Sequence, residues 1–446
     1  MKFFKYLEHY AKKWESRPFL VWNGHSLSYG EAEKQVEEKS VLFAPAKEKV
    51  LGIRLSSPAE QMIAFLAAER AGAVPLLIHE YIEGEELEHL LAVRPIHFLY
   101  SGEERKGLFP VPGGNWFGEI REENVRKDGI AVLTSGTSGP AKIFFRREES
   151  WSDFFPVQNR LFGIDSDSVL FLQGSMAFTG NLNMFLAFLS EGCTIAGTDR
   201  LFPRTWLKEI NRIGATHVYM IPSKLSPLSR VKGEGVSVRR ILSGSQLMTG
   251  RLLDGLERVF PRSETVLYYG SSEMSYVSFI RGREIRVQPD CVGRPFPGVK
   301  IAVENGFIEV DTPYGAEGIP RPFRSGDRGR LDREGCLHFL GRQEDFYNIK
   351  GNHVSRQKVL SYLLMADGVE EAEILPEQTE EGMTRLAAYV AGRQLPDHAE
   401  LIRFLSQKLK AWEIPSRFVR VKEIPKTSTG KTDRKKLAET GASTAK

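Results

Sequence analysis

The sequence predicts an α/β protein: a large N-terminal domain of βαβ subdomains with a small β-barrel-like segment, then a small α+β C-terminal domain. Three observations lead there. Strand–helix–strand units with short joins recur through the first half of the chain. From about residue 280 the texture becomes short alternating runs cut by Gly and Pro, and after residue 345 it changes once more. The length of 446 residues agrees, since at roughly 150 residues per domain it makes two or three.

Taken in order, KVLGIRLSS (49–57) reads as a strand and PAEQMIAFLAAERAG (58–72) as an amphipathic helix ended by Gly72; AVPLLI (73–78) is a second strand. Short joins between them imply a parallel sheet. The pattern repeats with SVLFLQG (168–174), NLNMFLAFLSEG (181–192) and CTIAG (193–197), and again in 204–221 with RTWLKEINRIGA and THVYMI. VGRPFPGVKIAVENGFIEVDTP is the β-rich, barrel-like part. After GRQED (341–345), HVSRQKVLSYLLMADG reads as a helix, EEAEIL and RLAAYVAG as strands, and HAELIRFLSQKLKAWEIP as a helix. The expected domains are therefore 1–342 and 343–446, joined without a long linker by a tight hinge.

Composition removes several classes. Charged residues are 26% of the chain, so disorder does not dominate, and 61 Lys and Arg against 57 Asp and Glu leave +4, too little to favour nucleic acid. Cys193, Cys291 and Cys336 form no CxxC and are far apart, which argues against a disulfide scaffold or structural zinc. The most apolar stretch, Met62 to Ile78, is broken by Glu69 and Arg70, so no membrane span is expected. The N-terminal MKFFKYLEHYAKKWE lacks the apolar block of a signal peptide, and the expected location is cytoplasmic. No repeat period with matching signature residues is present.

The strongest local signal is Leu133-Thr134-Ser135-Gly136-Thr137-Ser138-Gly139-Pro140-Ala141-Lys142, directly after the apolar run GIAVL. Small residues let backbone N–H groups approach an anion, hydroxyls add donors, and Lys142 would supply a point charge. An ordinary Ser/Gly turn after a strand reads the same way. A Walker A loop is excluded: the lone Gly-Lys-Thr is Gly430-Lys431-Thr432, and the glycine required five places earlier is Pro425. GxGxxG, GxSxG and HExxH are absent from the sequence.

This loop resembles the phosphate-binding signature of the adenylate-forming superfamily, which includes acyl-CoA synthetases, nonribosomal adenylation domains and luciferases. The family's other elements come after it in the family's order. Ile241 to Leu247 is similar to the strand and turn lining the adenine pocket, with Ser245, Gln246 and Leu247 at the nucleotide. Tyr268-Tyr269-Gly270-Ser271-Ser272-Glu273 resembles the Tyr-Gly-x-Thr-Glu signature, which implies Ser272 at the α-phosphate and Glu273 on Mg²⁺. Arg324-Ser325-Gly326-Asp327 matches the element whose aspartate binds the ribose. Gly341 to Asp345 matches the hinge, with Arg342 facing the nucleotide and Glu344 at the pivot, and Gly351 comes at the family's spacing. Pro425 to Lys431 matches the C-terminal signature that carries the catalytic lysine, Lys431.

The departures are specific. The phosphate loop ends Gly139-Pro140-Ala141-Lys142 instead of Gly-x-Pro-Lys-Gly, the gating segment Gly174 to Gly180 offers Phe178 where His is common, and Arg356-Gln357-Lys358 replaces an acidic helix start. The resemblance implies an ATP-dependent acid–CoA ligase using ATP, Mg²⁺ and coenzyme A; the alternative is a stand-alone adenylating enzyme that loads a phosphopantetheinyl carrier protein. In that picture a mobile C-terminal domain delivers Lys431 for adenylation, then turns so that Gly351 helps to build the thiol tunnel. Phe178-Thr179-Gly180-Asn181 carries no aspartate to pair with an amino acid, and Gly270 leaves open the position where acetate-activating relatives place Trp. With Phe178, Gly270 and Met274 around the acid, a fatty or aryl acid is the expected substrate.

Overall fold

Val50–Ile53 and Val74–Leu77 are buried at every position, as parallel strands covered on both faces must be. They lie inside a six-stranded sheet ordered Leu108–Pro110, Phe98–Tyr100, Val50–Ile53, Val74–Leu77, Ile130–Thr134, Lys142–Arg146. The chain is described here by a computed structural model covering residues 2–102, 108–111, 128–134, 142–288, 290–349, 351–378, 384–426 and 432–443. A second sheet has nine strands, in the order Arg294–Pro295, Ser275–Arg281, Glu264–Ser271, Arg240–Ser243, His217–Tyr219, Val169–Leu172, Thr194–Gly197, Pro18–Trp22, His25–Ser28. Its inner strands are parallel, and antiparallel hairpins close both edges.

Helices Pro58–Arg70 and Thr179–Ser190 are buried on nearly all sides, and they share one core cluster with residues from both sheets. Ser57 caps the first of them by accepting the Glu60 N–H, Pro58 opens it, and Gly72 at φ +80° lies just past its end. Glu69, which interrupts the apolar run in the sequence, is fully buried. Its carboxylate accepts the N–H groups of Phe3 and Phe4 at 2.9 and 2.7 Å, capping the N-terminal helix Phe4–Lys13. Burial pushes this acid up to about 8. Among the described residues no helix is long and apolar enough to cross a membrane.

Strand order adds what the sequence pattern lacked. Val169–Leu172 pairs with Thr194–Gly197 on one side and His217–Tyr219 on the other, so the chain leaves this strand in opposite directions. Such a reversal opens a crevice at the carboxyl ends of the strands. The barrel-like segment is a four-stranded antiparallel sheet, Lys300–Glu304, Phe307–Asp311, Phe323–Leu331 and Leu337–Arg342, whose outer strands do not pair among the described residues. Cys291 and Cys336 form a disulfide with a Cα–Cα distance of 6.4 Å, contrary to the expectation from their spacing. The antiparallel pairing of Cys291 with His338 returns the chain to the earlier loop, so sequence separation did not limit contact.

The C-terminal part holds a hairpin, Phe346–Ile349 with Asn352–Ser355, and a three-stranded sheet of Glu371–Gln378, Thr384–Ala391 and Arg417–Arg420. The reversed charges after the hinge have their own partners here. Arg356 makes a two-point bond to the buried Glu373 at 2.6 and 2.5 Å, and Lys358 pairs with Glu413 at 2.7 Å. Removing one member of a buried pair strands the other charge, at about 3–5 kcal/mol. Glu373→Ala should therefore lower the melting temperature of the C-terminal part sharply, and Arg356→Met with Glu373→Leu should cost less than Glu373→Ala alone; thermal unfolding of all variants checks both.

Candidate active site

Strands Glu264–Ser271 and Ser275–Arg281 form a hairpin with a bulge between Tyr269 and Gly270. A Cβ at Gly270 would lie 2.1 Å from the Ser275 carbonyl oxygen, so the glycine is required by the approach of the two strands. This replaces the expectation that Gly270 is an open floor of the acid pocket. Met274, also expected at the acid, is buried in the core cluster that holds Tyr268 and Tyr276.

The turn after Gly270 presents Ser272 and Glu273. Ser272 Oγ lies 2.9 Å from Thr179 Oγ1, directly after Phe178, so the gating segment and the signature turn meet. Beneath them sits Arg146, fully buried at the end of the strand Lys142–Arg146. Its guanidinium donates to the carbonyls of Ser272 (2.6 Å), Glu273 (3.3 Å) and Tyr314 (2.9 Å), and to Ser150 Oγ (3.1 Å). Ala316 N–H donates to the same Glu273 carbonyl at 2.7 Å. Burial lowers Arg146 to about 9, with Glu273 opposing the fall. The Glu273 carboxylate makes no hydrogen bond or ion pair among the described residues, and as a hard oxygen donor it suits a divalent cation.

Asp327, 8% exposed, accepts a hydrogen bond from Tyr269 at 2.5 Å and lies 3.6 Å from Arg342 Nε. Burial, then the Asp327 charge, raises the Tyr269 phenol well above its usual range. Ser245 takes φ +68°, an uncommon conformation outside glycine, and Gln246 Oε1 accepts the Ser223 N–H at 3.1 Å. Leu247 packs half-buried against the main core. Phe178 is 37% exposed, with the ring of the buried His79 at 4.4 Å; burial keeps that imidazole neutral by lowering it to about 4.

Thr134 and Lys142 are antiparallel partners, with Thr134 Oγ1 donating to the Lys142 carbonyl at 3.5 Å. Ser135, Gly136, Thr137, Ser138 and Gly139 between them lie outside the described residues, as does Lys431, flanked by the paired Lys426 and Thr432. Glu344 belongs to the 3₁₀ turn Gln343–Asp345, and its side chain is likewise outside the described part of the structure. Gly351 is at the turn of the hairpin after the hinge, with φ +83° and its N–H on Asn348 Oδ1 at 2.9 Å.

Three side chains at this site escape sequence reasoning. Arg146 is legible only as a charge closing the strand KIFFR, whose three middle residues are apolar. Thr179 reads as part of the gate and not as a partner of Ser272. Lys224, two residues after Pro222, donates to the Gln173 carbonyl at 3.0 Å and also to Gln173 Oε1; burial brings its ammonium down to about 8. A separate cavity of about 1050 Å³ lined by Trp22, Lys39, Arg54, Glu60 and Tyr100, among others, contains none of the residues named from the sequence.

Comparison with known proteins gives the family. The family of AMP-binding enzymes matches residues 99–318, and its C-terminal domain matches residues 361–431. The chain belongs to the AMP-binding, adenylate-forming enzymes. Within that family it is 24% identical to the putative long chain fatty acid-CoA ligase VraA of Staphylococcus epidermidis, over 98% of both chains. Among solved structures it resembles the O-succinylbenzoate coenzyme A synthetase MenE of Bacillus subtilis in complex with ATP and magnesium ion (TM-score 0.80, 19% identity, 97% of this chain and 99% of the other). It also resembles the anthranilate CoA ligase AuaEII in complex with anthranoyl-AMP (TM-score 0.83, 16% identity, 99% and 97%).

In an AMP-binding enzyme built this way, Arg146→Met leaves the Ser272 and Tyr314 carbonyls without their donor, leaves the Glu273 carbonyl to the Ala316 N–H alone, and loosens the Ser272–Glu273 turn. A displacement of about 1 Å there costs about 10²-fold in kcat, read by pyrophosphate exchange beside a melting curve. Gly270→Ala should destabilise by about 1–3 kcal/mol through overpacking, measured by urea unfolding. A Gly270→Ala protein as stable as wild type but altered in acid preference would restore the pocket role.

Proposed function

We propose that this chain is an ATP-dependent acid–CoA ligase that adenylates a fatty or aryl carboxylic acid, releases pyrophosphate, and passes the acyl group to coenzyme A with release of AMP. The observation that carries this reading is the convergence of Thr179, Ser272, Glu273, Tyr269, Asp327 and Arg342 around one crevice. The chemical problem is to join two anions, a carboxylate and the α-phosphate of ATP. A carboxylate oxygen attacks phosphorus, the bond to the bridging oxygen breaks, and pyrophosphate leaves with the electron pair.

Each residue answers part of that problem. Asp327 accepts from the ribose hydroxyls, and its bond to Tyr269 fixes the carboxylate in advance. Ser272 donates toward the α-phosphate, and Ser135 to Gly139 with Lys142 hold the outer phosphates. Glu273 would hold Mg²⁺, whose charge, when bound, offsets the negative charge of the phosphates. Lys431 brings a compact cation on a long stem to the oxygens where charge develops. In the second half-reaction the thiol loses its proton, sulfur attacks the acyl carbon, and AMP leaves. The division at 342/343, with Glu344 as pivot and Gly351 near the thiol path, lets one small domain serve both steps in turn.

Acid-dependent exchange of pyrophosphate into ATP tests the reading. We expect exchange with at least one fatty or aryl acid, and acid-dependent AMP release that needs coenzyme A to turn over. A broad acid panel without exchange, from folded protein with Mg²⁺, would sink it. Lys431→Ala should lower adenylation by about 10²–10³-fold while sparing thioester formation from a supplied acyl-adenylate. Equal loss in both half-reactions would show that Lys431 does not act at the α-phosphate.

A further inference from the structure

The crevice beside Val169–Leu172 has two walls, built by the segments that leave the carboxyl ends of that strand and of His217–Tyr219. On the first side run Gln173 and Gly174, then the gating segment to Phe178 and Thr179. On the second lies the helix Pro222–Leu228, which carries Lys224. The Lys224 ammonium reaches across and donates to the carbonyl and side-chain oxygens of Gln173. Gly174, at φ +115°, makes room for it, since a Cβ there would stand 2.8 Å from Lys224 Nζ and 3.4 Å from Asn181 Nδ2.

Three features of this cation are unusual for a structural lysine. Its fixed partners are both neutral oxygens of one residue, and no carboxylate among the described residues pairs with it, in contrast to Arg356 and Lys358. An ammonium has three donors, and two are used. Beside it, Ser223 Oγ is buried without a hydrogen-bond partner, and the neighbouring Gln246 belongs to the adenine-side turn. A largely desolvated charge with a donor to spare is what a site built to receive an anion contains before the anion arrives.

The position fits the acid rather than the nucleotide. The segment that begins at Gln173, on Lys224, ends at Thr179, on Ser272. Along it Asn181 Nδ2 holds the Ser175 carbonyl at 2.9 Å, and Ser175 Oγ and the Met176 N–H both donate to Gln61 Oε1. The segment turns back at Ser175 to Phe178, where the Phe178 N–H donates to the Ser175 carbonyl at 3.3 Å, so that Asn181, two residues after Thr179, stands with Lys224 beside Gly174. An acid whose reacting carboxylate lies at Ser272 would turn its other end toward Lys224.

We propose that Lys224 is the specificity residue of the acid pocket, and that the acid adenylated carries a second carboxylate, remote from the one activated, which Lys224 pairs with. This rests on the ligase reading and narrows the substrate to a dicarboxylic fatty or aryl acid. The low proton affinity that burial gives Lys224 in the free protein is reversed by such a partner.

The test is pyrophosphate exchange with paired acids of equal length: suberate against octanoate, adipate against hexanoate, terephthalate against benzoate, and monomethyl suberate as a neutral mimic. For the wild type, kcat/KM should favour at least one diacid over its partner by about 10²-fold, chiefly through KM, as expected where a buried charged donor would go unpaired. The monomethyl ester should side with octanoate. Lys224→Met and Lys224→Gln should each bring that ratio close to one. A wild type that uses monoacids as well as diacids, or the ester as well as suberate, overturns the proposal while the ligase reading stands. Variants that lose all acids equally, with lowered melting temperatures, overturn it too, because Lys224 would then be structural. No exchange with any acid would instead strike the ligase reading itself.

Discussion

The buried guanidinium of Arg146 ties together three lengths of chain that are otherwise remote: the strand Lys142–Arg146, the turn carrying Ser272 and Glu273, and the loop around Tyr314. Each of those carbonyls would be costly to bury unpaired, and a single planar cation satisfies them with well-directed donors. The strand Lys142–Arg146 is thereby held in register at both ends, at Thr134–Lys142 and at the signature turn. Trp151 reinforces the arrangement, with the guanidinium 5.2 Å from its ring and its Nε1 donating to Ser275 Oγ at 3.1 Å. This one side chain thus sets the spacing between the strand Lys142–Arg146 and the turn at Ser272 and Glu273.

A second tie joins the nine-stranded sheet to the four-stranded one. Asp327 and Arg342 are cross-strand partners in the four-stranded sheet, and Tyr269 reaches Asp327 from the nine-stranded one. The three sheets of the large domain thus meet where the reaction would occur, each contributing a strand end or a turn. That is a common solution for α/β proteins, whose loops at strand ends are free to vary while the sheets stay rigid.

Much of this was legible in the sequence, for identifiable reasons. Val50–Ile53, Pro58–Arg70 and Val74–Leu77 show because burial on both faces leaves near-continuous apolar runs, and the punctuating Gly72 and Gly192 take the positive φ their positions suggest. Motifs built from contiguous residues, such as Tyr269 to Glu273, show because their chemistry needs neighbours in the chain. Strand order does not show, since it depends on pairings between strands that are not neighbours in sequence, such as His217 with Leu170 and Leu20 with Ile195. Arg146 and Lys224 escaped for a related reason: each is a single cation whose meaning lies in carbonyls from distant segments. Gly270 was misjudged because a glycine's cause, the Ser275 carbonyl at 2.1 Å from its would-be Cβ, comes from the neighbouring strand.

The salt links of the C-terminal part have a mechanical corollary. Arg356–Glu373, Lys358–Glu413 and Arg434–Asp345 all close on the far side of Arg342. The contacts that cross back to the large domain include Arg230 to Glu370 at 2.9 Å and Arg251 to the carbonyls of Ala366 and Val369. Beside the hinge the helix Arg356–Leu363 packs on the strand Leu337–Arg342, with Ser355 Oγ donating to the Leu340 carbonyl. The Arg230 and Arg251 side chains are exposed, and water can take over their contacts at little cost. A swing about residues 343–345 would therefore leave the small domain's own ionic skeleton intact, give up the Arg230 and Arg251 contacts to water, and shift the helix Arg356–Leu363 on the strand Leu337–Arg342. In such a swing the small domain would travel as one welded piece, like a door moving on its frame.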